Sequence, residues 1–193
     1  AVFGFALAGG ALALSAAILR RSSSEVTLAA VLAMLVLPGQ TFGERDHFAA
    51  LLGAPFVALM LARAERAPVA APLAILAGVG AGLMACVKPP FALIGALPAA
   101  YVFARCGWRA VLLKPEGWVA AALGAAYLAS VAPLFPAYVE TVLPFLLNVY
   151  VPLREPAAAL AGSPGALAAL LIAAATLWSA SRRGFEPAMA VFG

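Results

Sequence analysis

Seven apolar runs dominate the chain, at 2–19, 26–40, 48–62, 69–87, 90–104, 117–135 and 165–180, each bounded by charge or proline. An α-helix of about 20 apolar residues crosses the ~30 Å hydrocarbon core of a bilayer, and it satisfies its backbone polar groups internally, as lipid requires. The runs therefore predict an all-α fold, a polytopic transmembrane helix bundle with about seven membrane-embedded helices. Composition supports this: 65% of the residues are hydrophobic, 10% are charged and the mean hydropathy is +1.05. An ordinary soluble domain carries about 25% charged residues. With too few charges to coat a soluble domain, residues 1–193 are expected to form a single transmembrane domain.

The runs at 26–40 and 48–62 are short, roughly 15 residues or 22 Å at 1.5 Å per residue. They are expected either to cross or to form a re-entrant hairpin, and both choices return the chain to the same side. Basic residues then sort by alternate loops. Nine (Arg20, Arg21, Arg63, Arg66, Arg105, Arg109, Lys114, Arg182 and Arg183) fall on one side and three (Arg45, Lys88 and Arg154) on the other. The positive-inside rule makes the first set cytoplasmic, with Ala1 outside and the C-terminal end inside. The first run, which ends in Arg20-Arg21, is too long for a signal peptide and reads as a span. An opening at Ala1 without methionine, already inside an apolar run, reads as a fragment of a longer chain.

A net charge of +4 does not indicate nucleic acid, because the bases stand singly or in pairs with no basic stripe. Cys86 and Cys106 are expected near opposite ends of one crossing, beyond disulfide reach. Ala74, Gly78 and Gly82 recur every four residues, a small-residue stripe that lets a neighbouring helix approach. Zinc-type Cys/His spacing, a phosphate-binding glycine loop and a Gly-x-Ser-x-Gly elbow are missing from the sequence. No acids stand at span centres to relay protons, which argues against a pump. Without a convincing internal repeat, a duplicated carrier is also disfavoured.

Three polar features remain. The densest is Gly39-Gln40-Thr41-Phe42-Gly43-Glu44-Arg45-Asp46-His47, with four consecutive ionisable residues and the one histidine of the chain. One reading is a helix start, with Thr41 or Gly43 as cap and Glu44 and Asp46 in the first turn. The other is chemical, because a mixed acid–base cluster beside the bilayer is costly unless used. Glu44 or Asp46 is then a candidate catalytic base for an attacking hydroxyl, and His47 a hydrogen-bonding catalytic partner. Arg45 is a candidate fork for phosphate oxygens.

The second feature is Cys86-Val87-Lys88-Pro89-Pro90-Phe91, which sets Lys88 at the outer end of a span before a proline turn. Lys88 reads either as a snorkelling lysine or as a cation that binds substrate phosphate. The third is the outer stretch from Pro136 to Pro156, with Tyr138, Glu140, Asn148, Tyr150, Arg154 and Glu155 among apolar residues. Its prolines are expected to prevent one continuous helix, and its aromatics read as an interfacial belt or as the wall of a lipid or acceptor groove. Trp108 and Trp118, which flank a cytoplasmic loop, read as anchors.

Gly43-Glu44-Arg45-Asp46-His47-Phe48 followed by an apolar run with Pro55, then Gly80-Ala81-Gly82-Leu83 leading to Lys88-Pro89-Pro90-Phe91, resembles bacterial polytopic glycosyltransferases of the fold C class. These usually read Gly-Gln/Glu-Arg-Glu-His-Leu and Lys-Pro-His-Phe. The resemblance covers residues 39–91. Asp46 replaces the usual Glu and keeps the carboxylate, whereas Pro90 replaces the usual His, so that position's role does not carry over. The resemblance implies transfer of a sugar from a polyprenyl-phosphate carrier to an acceptor at the non-cytoplasmic face of the bacterial inner membrane. It also implies that the principal catalytic acid lies in a first external loop upstream of Ala1. Glu44, Arg45, His47 and Lys88 then serve the donor phosphate or support the site. A divalent metal fits the class, although the sequence shows no ligand set. The expected partners are the lipid bilayer and the lipid-linked sugar donor. Two further readings stay open: a transporter or flippase for a lipid-linked or anionic substrate that uses Arg45 and Lys88, and a non-catalytic membrane assembly subunit.

Overall fold

The computed structural model describes residues 2–19, 31–36 and 42–150, and every regular element among them is helical. Helix α1 (Val2–Leu19) precedes a single π-helical turn (Leu32–Val36), α2 (Arg45–Ala64), α3 (Ala71–Val87), α4 (Phe91–Cys106), the short α5 (Arg109–Leu112) and α6 (Pro115–Leu134). The apolar run at 165–180, most of that at 26–40, and Arg154 and Glu155 lie outside the described residues. Among the described residues three helices, α1, α2 and α6, are long and apolar enough to cross a membrane, while α3 and α4 are shorter, at 17 and 16 residues.

Helix α2 outgrows its apolar run. It has 20 residues, because Asp46 joins its first turn and Arg63 its last. Both charges suit the helix macrodipole, a carboxylate near the amino end and a guanidinium near the carboxyl end. The resulting length is about 30 Å, the thickness of a hydrocarbon core. The short half-hairpin allowed for 48–62 is thus a helix of full spanning length.

Helix α2 is also the hub, packed against α1, α3 and α4. Its Phe56, Leu59 and Met60 form one core with Ile18 of α1, Ala74 and Ala77 of α3, and Val102 of α4. A second core joins Leu51 of α2 to Ala8 and Ala11 of α1.

Small residues set the spacing of α3. A Cβ on Gly80 would strike the Leu52 carbonyl oxygen of α2. On another face, one on Gly78 would meet the Glu116 backbone at the start of α6, and one on Gly82 would meet Leu123 and the Ala120 carbonyl. The stripe read from sequence is therefore a packing surface, where missing side chains let backbones approach.

The carboxyl end of α2 closes as a Schellman motif. Ala67 N–H donates to the Ala62 carbonyl at 2.9 Å and Arg66 N–H to the Arg63 carbonyl at 3.0 Å. Arg66 stands in the left-handed position (φ 56°), where glycine is usual, and Pro68 follows where the helix cannot continue.

The chain divides into two compact units, residues 1–128 and 129–193. In the second unit, two π-helical turns, Tyr138–Val142 and Leu146–Tyr150, flank a short α-helical turn, Leu143–Phe145. The prolines expected to interrupt residues 136–156 leave the described part helical after a break at Phe135. Pro144 falls in the first turn of the short α-helical segment, and its missing N–H is accommodated among wide turns.

Candidate functional site

The sequence places the acidic-basic cluster and the lysine–proline motif in separate segments. The fold joins them, because α2 begins at the end of the bundle where α3 stops. Lys88 Nζ forms an ion pair with Asp46 Oδ2 across 42 residues of sequence. Each charge also suits its own helix, Asp46 at the amino end of α2 and Lys88 at the carboxyl end of α3.

Local backbone geometry fixes both partners. Lys88 caps α3 in an extended conformation, and its N–H still donates to the Met84 carbonyl at 3.0 Å. Pro89 and Pro90 then turn the chain, with Phe91 N–H donating to the Lys88 carbonyl at 2.9 Å to open α4. The Lys88 ammonium lies 5.5 Å from the centre of the Phe91 ring, in cation–π range.

Across the pair, Glu44 is the N-cap of α2, with extended backbone and its carbonyl receiving Phe48 N–H at 3.0 Å. The helix start foreseen in the sequence is present, but Glu44 rather than Gly43 occupies the cap. Thr41 lies outside the described residues. Gly43 instead makes the turn into the helix, at φ 83°, a conformation that L side chains rarely adopt.

His47 is buried, and backbone groups hold both its ring nitrogens. Gly43 N–H donates to Nδ1 at 3.0 Å, and Nε2 lies 2.8 Å from the Met34 carbonyl oxygen. An N–H donor needs an unprotonated acceptor, so Nδ1 is the bare nitrogen and Nε2–H donates to Met34. The ring also packs against Phe42, with centroids 4.7 Å apart. His47 thereby ties the turn at Gly43 and the segment at Met34 to the start of α2. Its place is beneath the cluster, tied to backbone on both sides.

Glu44 and Arg45 are exposed, and neither side chain has a hydrogen-bond or ion-pair partner among the described residues. Asp46 and Lys88 are partly exposed, at 52% and 32% of their side chains. The five candidate residues thus play different parts. His47 holds the turn, Asp46 and Lys88 clip two helices together, and Glu44 and Arg45 are exposed and unpaired among the described residues. Among the described residues no three His, Cys, Asp or Glu side chains converge as a metal-ligand set. Glu44 with an Asp46 already tied to Lys88 does not fit the divalent ion that the family resemblance suggests.

The chain matches no known protein family, no curated protein and no solved structure. Its own residues therefore carry the functional reading.

Sequence reasoning missed the best-formed polar contact in the structure, which lies at the opposite end of the bundle. Arg63 Nε donates to Glu116 Oε1 at 3.0 Å and Nη2 to Oε2 at 3.4 Å, and Glu116 is only 2% exposed. In the sequence Arg63 is one loop base among nine, and no motif marks Glu116. The available signal was its position, a lone carboxylate in a basic loop directly before an apolar run. Nearby, the Cys106 thiol lies 3.6 Å from the Arg63 and Ala64 carbonyl oxygens, and both Cys86 and Cys106 are free thiols.

Proposed function

We propose that the chain is part of a multi-pass membrane glycosyltransferase that moves a sugar from a polyprenyl-phosphate carrier to an acceptor at the non-cytoplasmic face. The observation that carries this reading is the meeting of the two motifs at one end of the bundle, with Glu44 and Arg45 left uncommitted beside the Asp46–Lys88 pair. The apolar exterior suits a lipid environment, because Phe3, Leu93, Leu97 and Leu128 are each about 70% exposed. A donor whose phosphate lies at the membrane surface and whose tail lies in the hydrocarbon matches that juxtaposition.

In this reading the Arg45 guanidinium pairs with two phosphate oxygens of the carrier, as its planar fork favours. The phosphate leaves as the sugar's anomeric carbon is attacked, so a fixed cation there stabilises the charge that develops on it. Glu44, beside Arg45, accepts the proton of the acceptor hydroxyl or supports a stronger base elsewhere in the protein. Lys88 adds positive potential to the phosphate while Asp46 fixes its position. The pair also keeps the carboxyl end of α3 against the amino end of α2.

The test is sugar transfer from labelled polyprenyl-phosphate donors by membranes that contain the full-length protein. Glu44→Gln and Arg45→Gln should each lower transfer by at least about tenfold while the protein remains inserted, since a single charge-stabilising donor is worth about 10²-fold or more. Full transfer by both variants would remove the site. Flipping or uptake of a lipid-linked substrate without transfer would replace the enzyme by the transporter.

A further inference from the structure

Residues 105–118, from the last turn of α4 through α5 to the first turn of α6, carry three bases, Arg105, Arg109 and Lys114, and one carboxylate, Glu116. That carboxylate is withdrawn from the surface, 2% exposed and held by Arg63. Glu116 thus offsets none of the charge of Arg109 and Lys114, which pair with no carboxylate among the described residues. The adjoining end of α2 does not offset it, because the exposed Glu65 and Arg66 there balance each other.

Large apolar side chains stand among the bases. Trp108, Leu112, Leu113 and Trp118 are 48%, 51%, 64% and 68% exposed. In water such a patch is unfavourable, whereas at a bilayer interface indole rings and leucines enter the acyl boundary beside cations that meet headgroups. The rings are already arranged for it. Trp118 Nε1–H donates to the Leu112 carbonyl at 2.8 Å, so the polar edge of the indole is satisfied inside the linker and the apolar ring remains exposed. The Arg109 guanidinium lies 5.3 Å from the Trp108 ring centre, and no carboxylate among the described residues claims its N–H donors.

We propose that residues 105–118 form a binding surface for the headgroups of anionic phospholipids, in which Arg109 and Lys114 hold the headgroup phosphate and Trp108 and Trp118 seat the linker at the interface. Charge complementarity selects the occupant: Arg109 and Lys114 bordered by exposed apolar residues match a negatively charged headgroup that carries acyl chains. The inference rests on the helices lying in a bilayer and is independent of sugar transfer. It also gives the Arg63–Glu116 pair a second consequence, because neutralising the carboxylate within 105–118 keeps it from repelling the lipid.

The test compares the protein in zwitterionic detergent with added phosphatidylglycerol, phosphatidylcholine or inorganic phosphate, and reads the unfolding midpoint together with lipid retained in native mass spectra. Phosphatidylglycerol should stabilise and be retained over phosphatidylcholine. Each base near an anionic surface is worth about fivefold in affinity, so Arg109→Gln with Lys114→Gln should weaken retention about 25-fold, while Arg109→Lys with Lys114→Arg should keep most of it. Equal effects of the two lipids, unchanged retention by the glutamine variant, or full stabilisation by inorganic phosphate alone would each overturn the proposal. A salt titration of the wild type keeps the test decisive should the glutamine variant unfold. Preference for phosphatidylglycerol should fade as the screening length drops from about 10 Å toward 3 Å, and persistence would overturn it. No sugar donor is present, so this result and the transfer assay fail independently.

Discussion

At the scale of single residues, the two ends of the bundle use charge differently. Asp46 and Lys88 remain half in solvent, and exposed pairs contribute about 0.2–1 kcal/mol. Glu116 is buried and held in bidentate geometry by a partly buried Arg63, and removing one partner of a buried pair costs up to roughly 3–5 kcal/mol because the other charge is left uncompensated. In denaturant unfolding, Glu116→Gln should therefore destabilise the protein severalfold more than Lys88→Met. His47 falls between them. His47→Ala leaves the Gly43 N–H and the Met34 carbonyl without their partner, a loss of about 1–3 kcal/mol visible in the same unfolding curves. The sequence announced the polar residues but not their partners. Asp46 and Lys88 were each legible as candidates, yet their pairing depends on α2 and α3 running past one another. The Met34 carbonyl carries no side-chain signature at all.

At the scale of elements, hydropathy located α1, α2, α3, α4 and α6 because apolar runs and helices share the same limits in lipid, where breaks coincide with charge or proline. It underestimated α2, since Arg45, Asp46 and Arg63 are helical residues that hydropathy alone assigns to loops. Ala74, Gly78 and Gly82 of α3 were legible as a stripe, but Gly80, outside that stripe, makes the close approach to α2, while Gly78 meets α6. This gives a graded prediction. Gly78→Ala and Gly80→Ala drive a methyl into backbone and should cost about 1–3 kcal/mol in unfolding measurements. Gly124→Ala in α6, with nothing within 4 Å of its would-be Cβ, should be neutral or stabilising by up to about 1 kcal/mol through helix propensity. Equal effects at all three positions would show that the close approaches to α3 are not what holds these helices.

For the whole molecule, the first unit has two chemically distinct ends. One carries Glu44, Arg45, Asp46 and Lys88, and the other carries Arg63, Glu116 and the basic, tryptophan-rich linker. The proposed function requires the first of these ends to lie outside, and the positive-inside reading of the loops then sets the second in the cytoplasm. The measurement that tests this most directly is labelling of single cysteines by a membrane-impermeant maleimide in right-side-out vesicles. Cys86 and Cys106 are first replaced by alanine, and Arg45→Cys and Lys114→Cys are then compared. Position 45 should be labelled in sealed vesicles, and position 114 should react only after permeabilisation. Labelling of both in sealed vesicles, or of 114 alone, would contradict this arrangement.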